Sequence, residues 1–217
     1  MTITIILLAG EGKRFKSKTS KNLTLINGKP LYSFVVDVCL KNKNIDKTIL
    51  VINKNEKSII KEYFSSKIKS NKLMLICGSE QTRQKSLNIA MKYLSKSLKP
   101  NDVIVTLDGD RIFVTNDLIN KSILVAKKHK YANTILNIND SIIKFDEKIA
   151  YLNRESVGLV QTPQTFVYKV WKTKQSKGTD LFSSLNLKLQ KNNLIKGSLL
   201  NFKITVKEDL ELADKLI

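Results

Sequence analysis

Thr2-Ile3-Thr4-Ile5-Ile6-Leu7-Leu8-Ala9-Gly10-Glu11-Gly12-Lys13-Arg14 runs without a break from a β-branched apolar stretch into a loop with two glycines and two cations. A strand of that composition suits burial on both faces, and the loop at its exit lets backbone N–H groups approach a bound anion. The same rhythm recurs along the chain. Lys47–Ile52, Leu73–Cys77, Asp102–Leu107 and Asn133–Ile138 read as further strands, while Pro30–Leu40, Glu56–Ile68, Thr82–Leu98 and Asn116–His129 carry helical spacing. Ile59, Ile60, Tyr63, Phe64 and Ile68 mark one apolar helix face, and Leu87, Ala90, Met91 and Leu94 another. This alternation predicts an α/β fold: a Rossmann-like, mostly parallel sheet with helices on both faces and ligands at the carboxyl ends of the strands.

The pattern changes after Ile138. Ser141–Phe145 and Ile149–Asn153 flank Asp146-Glu147-Lys148 and read as a β-hairpin projecting from the sheet, an arm spanning residues 139–157. Gly158–Thr162 reads as a returning strand. Helices Val167–Gln175 and Thr179–Lys191, a strand Leu200–Thr205 and a closing helix Lys207–Leu216 complete the expectation. With no linker, repeat or low-complexity stretch, residues 1–217 are expected to form one domain.

Composition narrows the chemistry. A chain of 217 residues with 42% hydrophobic residues can bury a core, and Cys39 and Cys77 stand too far apart in sequence for a thiolate zinc motif. The single histidine, His129, excludes a His-containing triad and a multi-His metal site. Lysine and arginine total 38 against 19 acidic residues, but only Arg14, Arg83, Arg111 and Arg154 are arginine. A surface reading nucleic acid would favour the arginine fork and interleave aromatics, so the excess lysine reads as a solvated surface with no specific nucleic-acid partner. No segment has the length of a membrane helix, and Thr2–Leu8 lacks the features of a signal peptide, which fits a cytoplasmic protein.

The loop after the first strand has no Gly-Lys-Ser/Thr ending, so it is not a Walker loop. Phe15 stands where a dinucleotide fingerprint needs its third glycine, and Asn53-Lys54 supplies no ribose-binding acid. Later strand ends carry Gly78-Ser79-Glu80-Gln81-Thr82-Arg83-Gln84-Lys85-Ser86 and Asp108-Gly109-Asp110-Arg111-Ile112-Phe113. Gln161-Thr162-Pro163-Gln164 follows the arm, and Asn201-Phe202-Lys203-Ile204-Thr205 precedes Glu208-Asp209-Leu210.

Taken together and in this order, from Ala9 to Ala213, these motifs resemble the sugar-phosphate cytidylyltransferases of the methylerythritol-phosphate type, with ribitol-phosphate cytidylyltransferases as close relatives. The resemblance implies a nucleotidyltransferase-type fold, CTP and a sugar or polyol phosphate as substrates, Mg²⁺, and a homodimer joined through the arm. It implies that Ala9, Gly10, Gly12 and Lys13 wrap the triphosphate, with Arg14, Lys21 and Lys203 as catalytic cations. Gly78, Arg83, Ser86 and Asp108 match the nucleotide side, with Asp108 also near the metal and the acceptor. Arg111, Ser141 and Arg154 match the sugar-phosphate side, the last two from the arm. All four arginines fall on motif positions, as expected where a rigid fork must hold phosphate oxygens. The acceptor class is left open between 2-C-methyl-D-erythritol 4-phosphate and ribitol 5-phosphate, and a non-catalytic polyanion binder is the rival of another class.

Some positions depart from the family pattern. Ser20 replaces a proline before Lys21, Ser79 replaces a glycine with one extra residue before Arg83, and Lys207 replaces a proline before Glu208. Asp110 adds a carboxylate beside polyanionic substrates, which makes sense if it points at Mg²⁺ or at Arg111.

Overall fold

The computed structural model describes residues 1–10, 12, 15, 20–68, 71–145, 147, 149–171 and 180–217. In chain order the elements are β1 (Thr2–Leu7), a two-strand turn unit β2 (Leu25–Ile26) and β3 (Lys29–Pro30), α1 (Leu31–Lys41), β4 (Lys47–Ile52), α2 (Lys57–Tyr63), α3 (Ser65–Ile68) and β5 (Leu73–Cys77). Then come α4 (Arg83–Leu94), β6 (Val103–Asp108), α5 (Asn116–His129), β7 (Tyr131–Asn137), β8 (Ile142–Lys144) and β9 (Ala150–Leu152). The chain closes with β10 (Gly158–Val167), α6 (Tyr168–Trp171), α7 (Leu181–Ser184), β11 (Leu194–Lys196) and α8 (Lys207–Leu216).

Among the described residues the main sheet has seven strands in the order β11-β7-β10-β6-β1-β4-β5. β1 lies parallel to both β4 and β6, with Leu7 opposite Val51 on one side and Asp108 on the other. β10 runs antiparallel to β6 and β7 and is the exception to a mostly parallel sheet. Every residue of β1 and of β6 is buried, so both faces of the sheet's centre are covered. That explains why these strands are apolar nearly throughout instead of alternating.

The strand order fixes where a ligand can bind. From β1 the chain builds outward through β4 to β5, then returns across the sheet to β6 on the other side of β1. The loops after β1 and β6 therefore diverge, opening a crevice at the carboxyl ends of these two strands.

Local chemistry sets the helix ends. The Thr82 hydroxyl accepts from Lys85 N at 3.1 Å and starts α4, and the Thr115 hydroxyl accepts from Leu118 N at 3.2 Å and starts α5. Leu118, Ile119, Ser122, Ile123 and Ala126 form the buried stripe of α5. The short β2–β3 turn uses Asn27 and Gly28 at φ 47° and 73°, the left-handed pair that matches the twist of a tight hairpin.

A second, smaller core gathers the chain ends. Phe15, Ile26, Leu31, Ile112, Ile204 and Ala213 pack together, with Phe113 and Phe202 rings 5.5 Å apart beside them. It ties the segment after β1, the segment after β6 and the segment before α8 into one unit.

Several expected elements differ. The helix over Glu56–Ile68 is two pieces because Phe64 turns into the core against Tyr32 and Tyr63, with ring centroids at 5.6 and 4.9 Å. Ile60 and Phe64 are buried, whereas Ile59 and Tyr63 are exposed. The returning strand continues through Val167, which therefore belongs to β10 and not to a helix, and residues 172–175 lie outside the described residues. The Thr179–Lys191 helix reduces to α7, capped by the Asp180 carboxylate on Phe182 N at 2.8 Å and followed by Asn186 at φ 51°; Thr179 lies outside the described residues. No strand spans Leu200–Thr205: a 3-10 turn takes Leu199–Asn201, and the backbone beyond it bonds across to the β6 loop. The arm is observed as β8 paired antiparallel with β9.

Candidate active site

At the crevice between β1 and β6 lies a cavity of about 210 Å³ lined by Ala9, Gly10, Gly12, Lys21, Arg83, Ser86, Asp108, Asp110 and Lys203 among others. These residues come from five stretches of sequence, and each is placed by its own local device. Ser20, in the position of the missing proline, caps the turn holding Lys21 by accepting from Asn22 N at 3.3 Å. Asn22 then anchors that turn to the end of β1, its amide donating to Leu8 O at 2.7 Å. α4 begins at the cavity wall, so its first turn directs backbone N–H groups and partial positive charge toward an anion there.

Asp108, the last residue of β6, is the hub. Its Oδ1 accepts from Arg83 Nε at 2.7 Å, and its Oδ2 faces Arg111 Nε at 3.4 Å and Lys203 Nζ at 3.5 Å. Burial alone would push the carboxyl pKa up, but Arg83, Lys203 and Arg111 hold it well below the usual carboxylate range. Asp108 is thus an ionised anchor that collects three cations.

Of the two partners expected for Asp110, the structure rules out Arg111: Asp110 Oδ2 accepts from Lys21 Nζ at 2.5 Å, and its Oδ1 sits 3.6 Å from Lys203 Nζ. Arg111 instead points to Asp108 and donates from Nη1 to Asn201 O at 2.7 Å. Lys21 also donates to Ile204 O at 2.8 Å. Cations from near the two ends of the sequence therefore converge at the end of β6, Lys21 on Asp110 and Lys203 on both Asp108 and Asp110.

The base of the cleft is close-packed. A Cβ on Gly78 would come within 2.6 Å of Val51 Cγ1, 2.7 Å of Ala9 Cβ and 2.9 Å of Ser86 Oγ, so only glycine fits at the end of β5. Ser86 Oγ donates to Ser79 O at 2.7 Å and accepts from Ser79 N at 3.0 Å, closing the loop before α4.

A second cavity of about 140 Å³ lies on the far side of Asp108, lined by Arg83, Asp108, Val160, Gln161, Thr162, Gln164 and Asp180. Arg83 and Asp108 are common to both cavities. Thr162 Oγ1 accepts from Asp108 N at 3.1 Å, and Asn201 bridges the region by donating to Thr162 O at 2.8 Å.

Of the residues singled out by sequence, Ala9, Gly10, Gly12, Lys21, Arg83, Ser86, Asp108 and Lys203 line the first cavity. Gly78 packs behind it, and Arg111 is buried behind Asp108. Ser141 is exposed on the arm, and Arg154 donates to Asn139 O at 2.6 Å there; neither lines either cavity next to Asp108. Lys13 and Arg14 lie outside the described residues. Asn22, Gln161, Thr162 and Asn201 were not singled out, although three of them sit inside the quoted Gln161–Gln164 and Asn201–Thr205 motifs. Asn22 has no such signal beyond its place next to Lys21.

Comparison with known proteins gives the same answer from outside the site. The IspD family model, described as 2-C-methyl-D-erythritol 4-phosphate cytidylyltransferase, matches residues 2–217. Proteins of that name from Thermotoga neapolitana and Clostridium acetobutylicum are 30% identical over 220 residues and 31% identical over 229. The first alignment covers 98% of this chain and 95% of the relative, the second 100% and 97%. The crystal structure of 4-diphosphocytidyl-2C-methyl-D-erythritol synthase from Anaerococcus prevotii superposes with a TM-score of 0.79 at 27% identity, covering 100% of this chain and 97% of that one. A likeness that runs the whole length of the sequence, and a cation-lined crevice where such a sheet binds its ligands, make this chain a member of the 2-C-methyl-D-erythritol 4-phosphate cytidylyltransferase family.

Proposed function

We propose that this chain transfers the cytidylyl group of CTP to 2-C-methyl-D-erythritol 4-phosphate, a step in isoprenoid precursor synthesis. A phosphate oxygen of the acceptor forms a bond to the α-phosphorus of CTP, the bond from that phosphorus to the bridging oxygen breaks, and pyrophosphate leaves. The acceptor oxygen is already ionised at neutral pH, so no general base is needed. Catalysis then consists of holding two polyanions in line and neutralising their charge. The observation that carries this reading is the meeting of Arg83 and Lys203 on Asp108, and of Lys21 and Lys203 on Asp110, at the sheet's switch point.

In this reading CTP occupies the cavity against α4, with Lys21, Lys203 and Arg14 on its phosphates and Gly78 and Ser86 near its base and ribose. The acceptor occupies the smaller cavity beyond Asp108, and Arg83 stands on the wall between them. Among the described residues no three His, Cys, Asp or Glu side chains form a metal cage. A Mg²⁺ ion that keeps most of its ligands on phosphate and water needs only one or two carboxylates, and Asp108 at the cavity wall suits that role. When bound, such an ion withdraws charge from the phosphates.

The chain acts as one nucleotidyltransferase domain with residues 139–157 as an arm that joins two copies. Phe145, Ile149 and Tyr151 are 81%, 73% and 78% exposed on that arm, an apolar surface that pairing of two subunits would cover. Ser141 and Arg154 then serve the acceptor site of the partner subunit. Among the described residues no helix is long and apolar enough to cross a membrane, and the reaction proposed belongs in the cytoplasm.

The test is pyrophosphate release with each of four nucleoside triphosphates and two acceptors, 2-C-methyl-D-erythritol 4-phosphate and ribitol 5-phosphate. Release confined to CTP with the first acceptor is the expected result. Release only with ribitol 5-phosphate, or none with any pair, overturns the proposal.

A further inference from the structure

Asp108-Gly109-Asp110 places two carboxylates at the end of β6, and Asp110 is the one that Arg83 and Arg111 leave alone. The second is just as deeply placed. Asp110 is 8% exposed, its Oδ1 makes no hydrogen bond, and its Oδ2 holds Lys21 at 2.5 Å. Its backbone is fixed too, because Asp110 O accepts from Ile204 N at 2.9 Å. Lys21 closes the ring by donating to Ile204 O at 2.8 Å. Three segments far apart in sequence are thereby locked around one ammonium group.

An ammonium has three N–H donors, and two of those on Lys21 are taken by Asp110 Oδ2 and Ile204 O. One is left for a group in the cavity that Lys21 lines. Lys203 is held differently. Its side chain is 34% exposed against 11% for Lys21, and it stands between Asp108 Oδ2 at 3.5 Å and Asp110 Oδ1 at 3.6 Å without a short contact to either. It is the cation that a phosphate can draw away at least cost.

We propose that Asp110 is a positioning residue for nucleotidyl transfer: its carboxylate fixes the Lys21 ammonium and holds Lys203 on standby until the triphosphate takes Lys203 over. The assignment rests on the function proposed above. A free lysine side chain must give up rotamer entropy when it is fixed. Asp110 fixes Lys21 while the protein folds, before any substrate arrives. The same carboxylate repels a triphosphate in the ground state, so it weakens nucleotide binding while it favours the chemical step. A residue that only supported the fold would not separate these two effects.

The experiment is steady-state kinetics of Asp110→Asn, Asp110→Ala and Asp110→Glu with CTP varied at saturating 2-C-methyl-D-erythritol 4-phosphate. It is paired with calorimetric titration of CTP and Mg²⁺ into each protein without acceptor. For Asp110→Asn we expect kcat to fall about tenfold or more while KM and the calorimetric Kd for CTP stay level or fall, with Asp110→Glu recovering part of kcat. Asp110→Asn is nearly isosteric and is the deciding variant if Asp110→Ala does not fold. An unchanged kcat, or a raised Kd for CTP with kcat intact, overturns the assignment. Wild-type protein in the same assay separates the two readings: no turnover removes the function on which this rests, whereas wild-type turnover matched by Asp110→Asn removes only the role of Asp110.

Discussion

Arg83 Nε donates to Asp108 Oδ1 at 2.7 Å, and this pair forms the wall shared by the two cavities. The Arg83 side chain is 29% exposed and lines both cavities, so its guanidinium stands where a phosphate oxygen can meet it. Replacing Arg83 by Met keeps much of the stem and removes the fork. We expect kcat/KM to fall about a hundredfold, the scale of a lost charged hydrogen bond of about 2.7 kcal/mol in the transition state. Less than a threefold change in the pyrophosphate assay would place Arg83 outside the reaction.

Asp108 predicts an acid response. Its pKa is lowered in the folded protein, so below the unfolded value of about 3.9 the unfolded chain binds more protons than the native one. The stability it contributes is complete above that pH and is lost as pH falls toward the folded value. Asp108→Asn leaves Arg83, Arg111 and Lys203 without their shared anion and should cost about 3 kcal/mol at pH 7. Denaturant unfolding at pH 7 and at pH 3 checks both statements, because the gap between wild type and variant should narrow at the lower pH. A gap that stays constant would mean that Asp108 is not held ionised by its neighbours.

Gly78→Ala puts a methyl group within 2.9 Å of three neighbours, of which Val51 and Ala9 belong to the packed core. The substitution should destabilise by about 1–3 kcal/mol and raise KM for CTP, since Ser86 and the loop before α4 must move. Thermal unfolding and nucleotide titration measure the two effects separately. Full stability with unchanged KM would show that the end of β5 has room to spare.

The arm gives a prediction about assembly. Phe145 and Tyr151 are 81% and 78% exposed, so replacing both by Ser should leave the unfolding midpoint of the subunit nearly unchanged. Sedimentation velocity should show dimers for wild type and monomers for the double variant, with activity lost on dissociation. A variant that stays dimeric would move the interface elsewhere.

The sheet was readable because strands covered on both faces need apolar residues throughout, and β1, β4, β5 and β6 all stand within a residue of their expected bounds. α5 and α8 match to the residue: the Thr115 cap and a buried stripe define α5, and α8 begins where the Asp209 carboxylate accepts from Thr205 N and Val206 N. The segment before α8 was misread for the opposite reason. Leu200–Thr205 has strand composition, but its backbone is committed to Asp110 and Lys21, partners distant in sequence. Short helices such as α7 carry too little periodicity to show their ends.

The site was legible at the level of motifs and not of pairings. Lys21, Arg83, Asp108 and Lys203, taken from separate motifs, line one cavity. Nothing local says that Asp110 ignores the adjacent Arg111 and takes Lys21, 89 residues away. The small core of Phe15, Ile112 and Ile204 packs these segments together, and only the folded chain assembles it.

The most direct test of the central claim is CTP-dependent pyrophosphate release by Lys21→Ala compared with wild type at saturating 2-C-methyl-D-erythritol 4-phosphate. Lys21 is proposed to meet the α-phosphate where charge builds up in the transition state, so kcat should drop at least about a hundredfold with the protein still folded by circular dichroism. Turnover by the folded variant within about threefold of wild type would contradict the account, because the cleft between β1 and β6 could not then be where the reaction occurs.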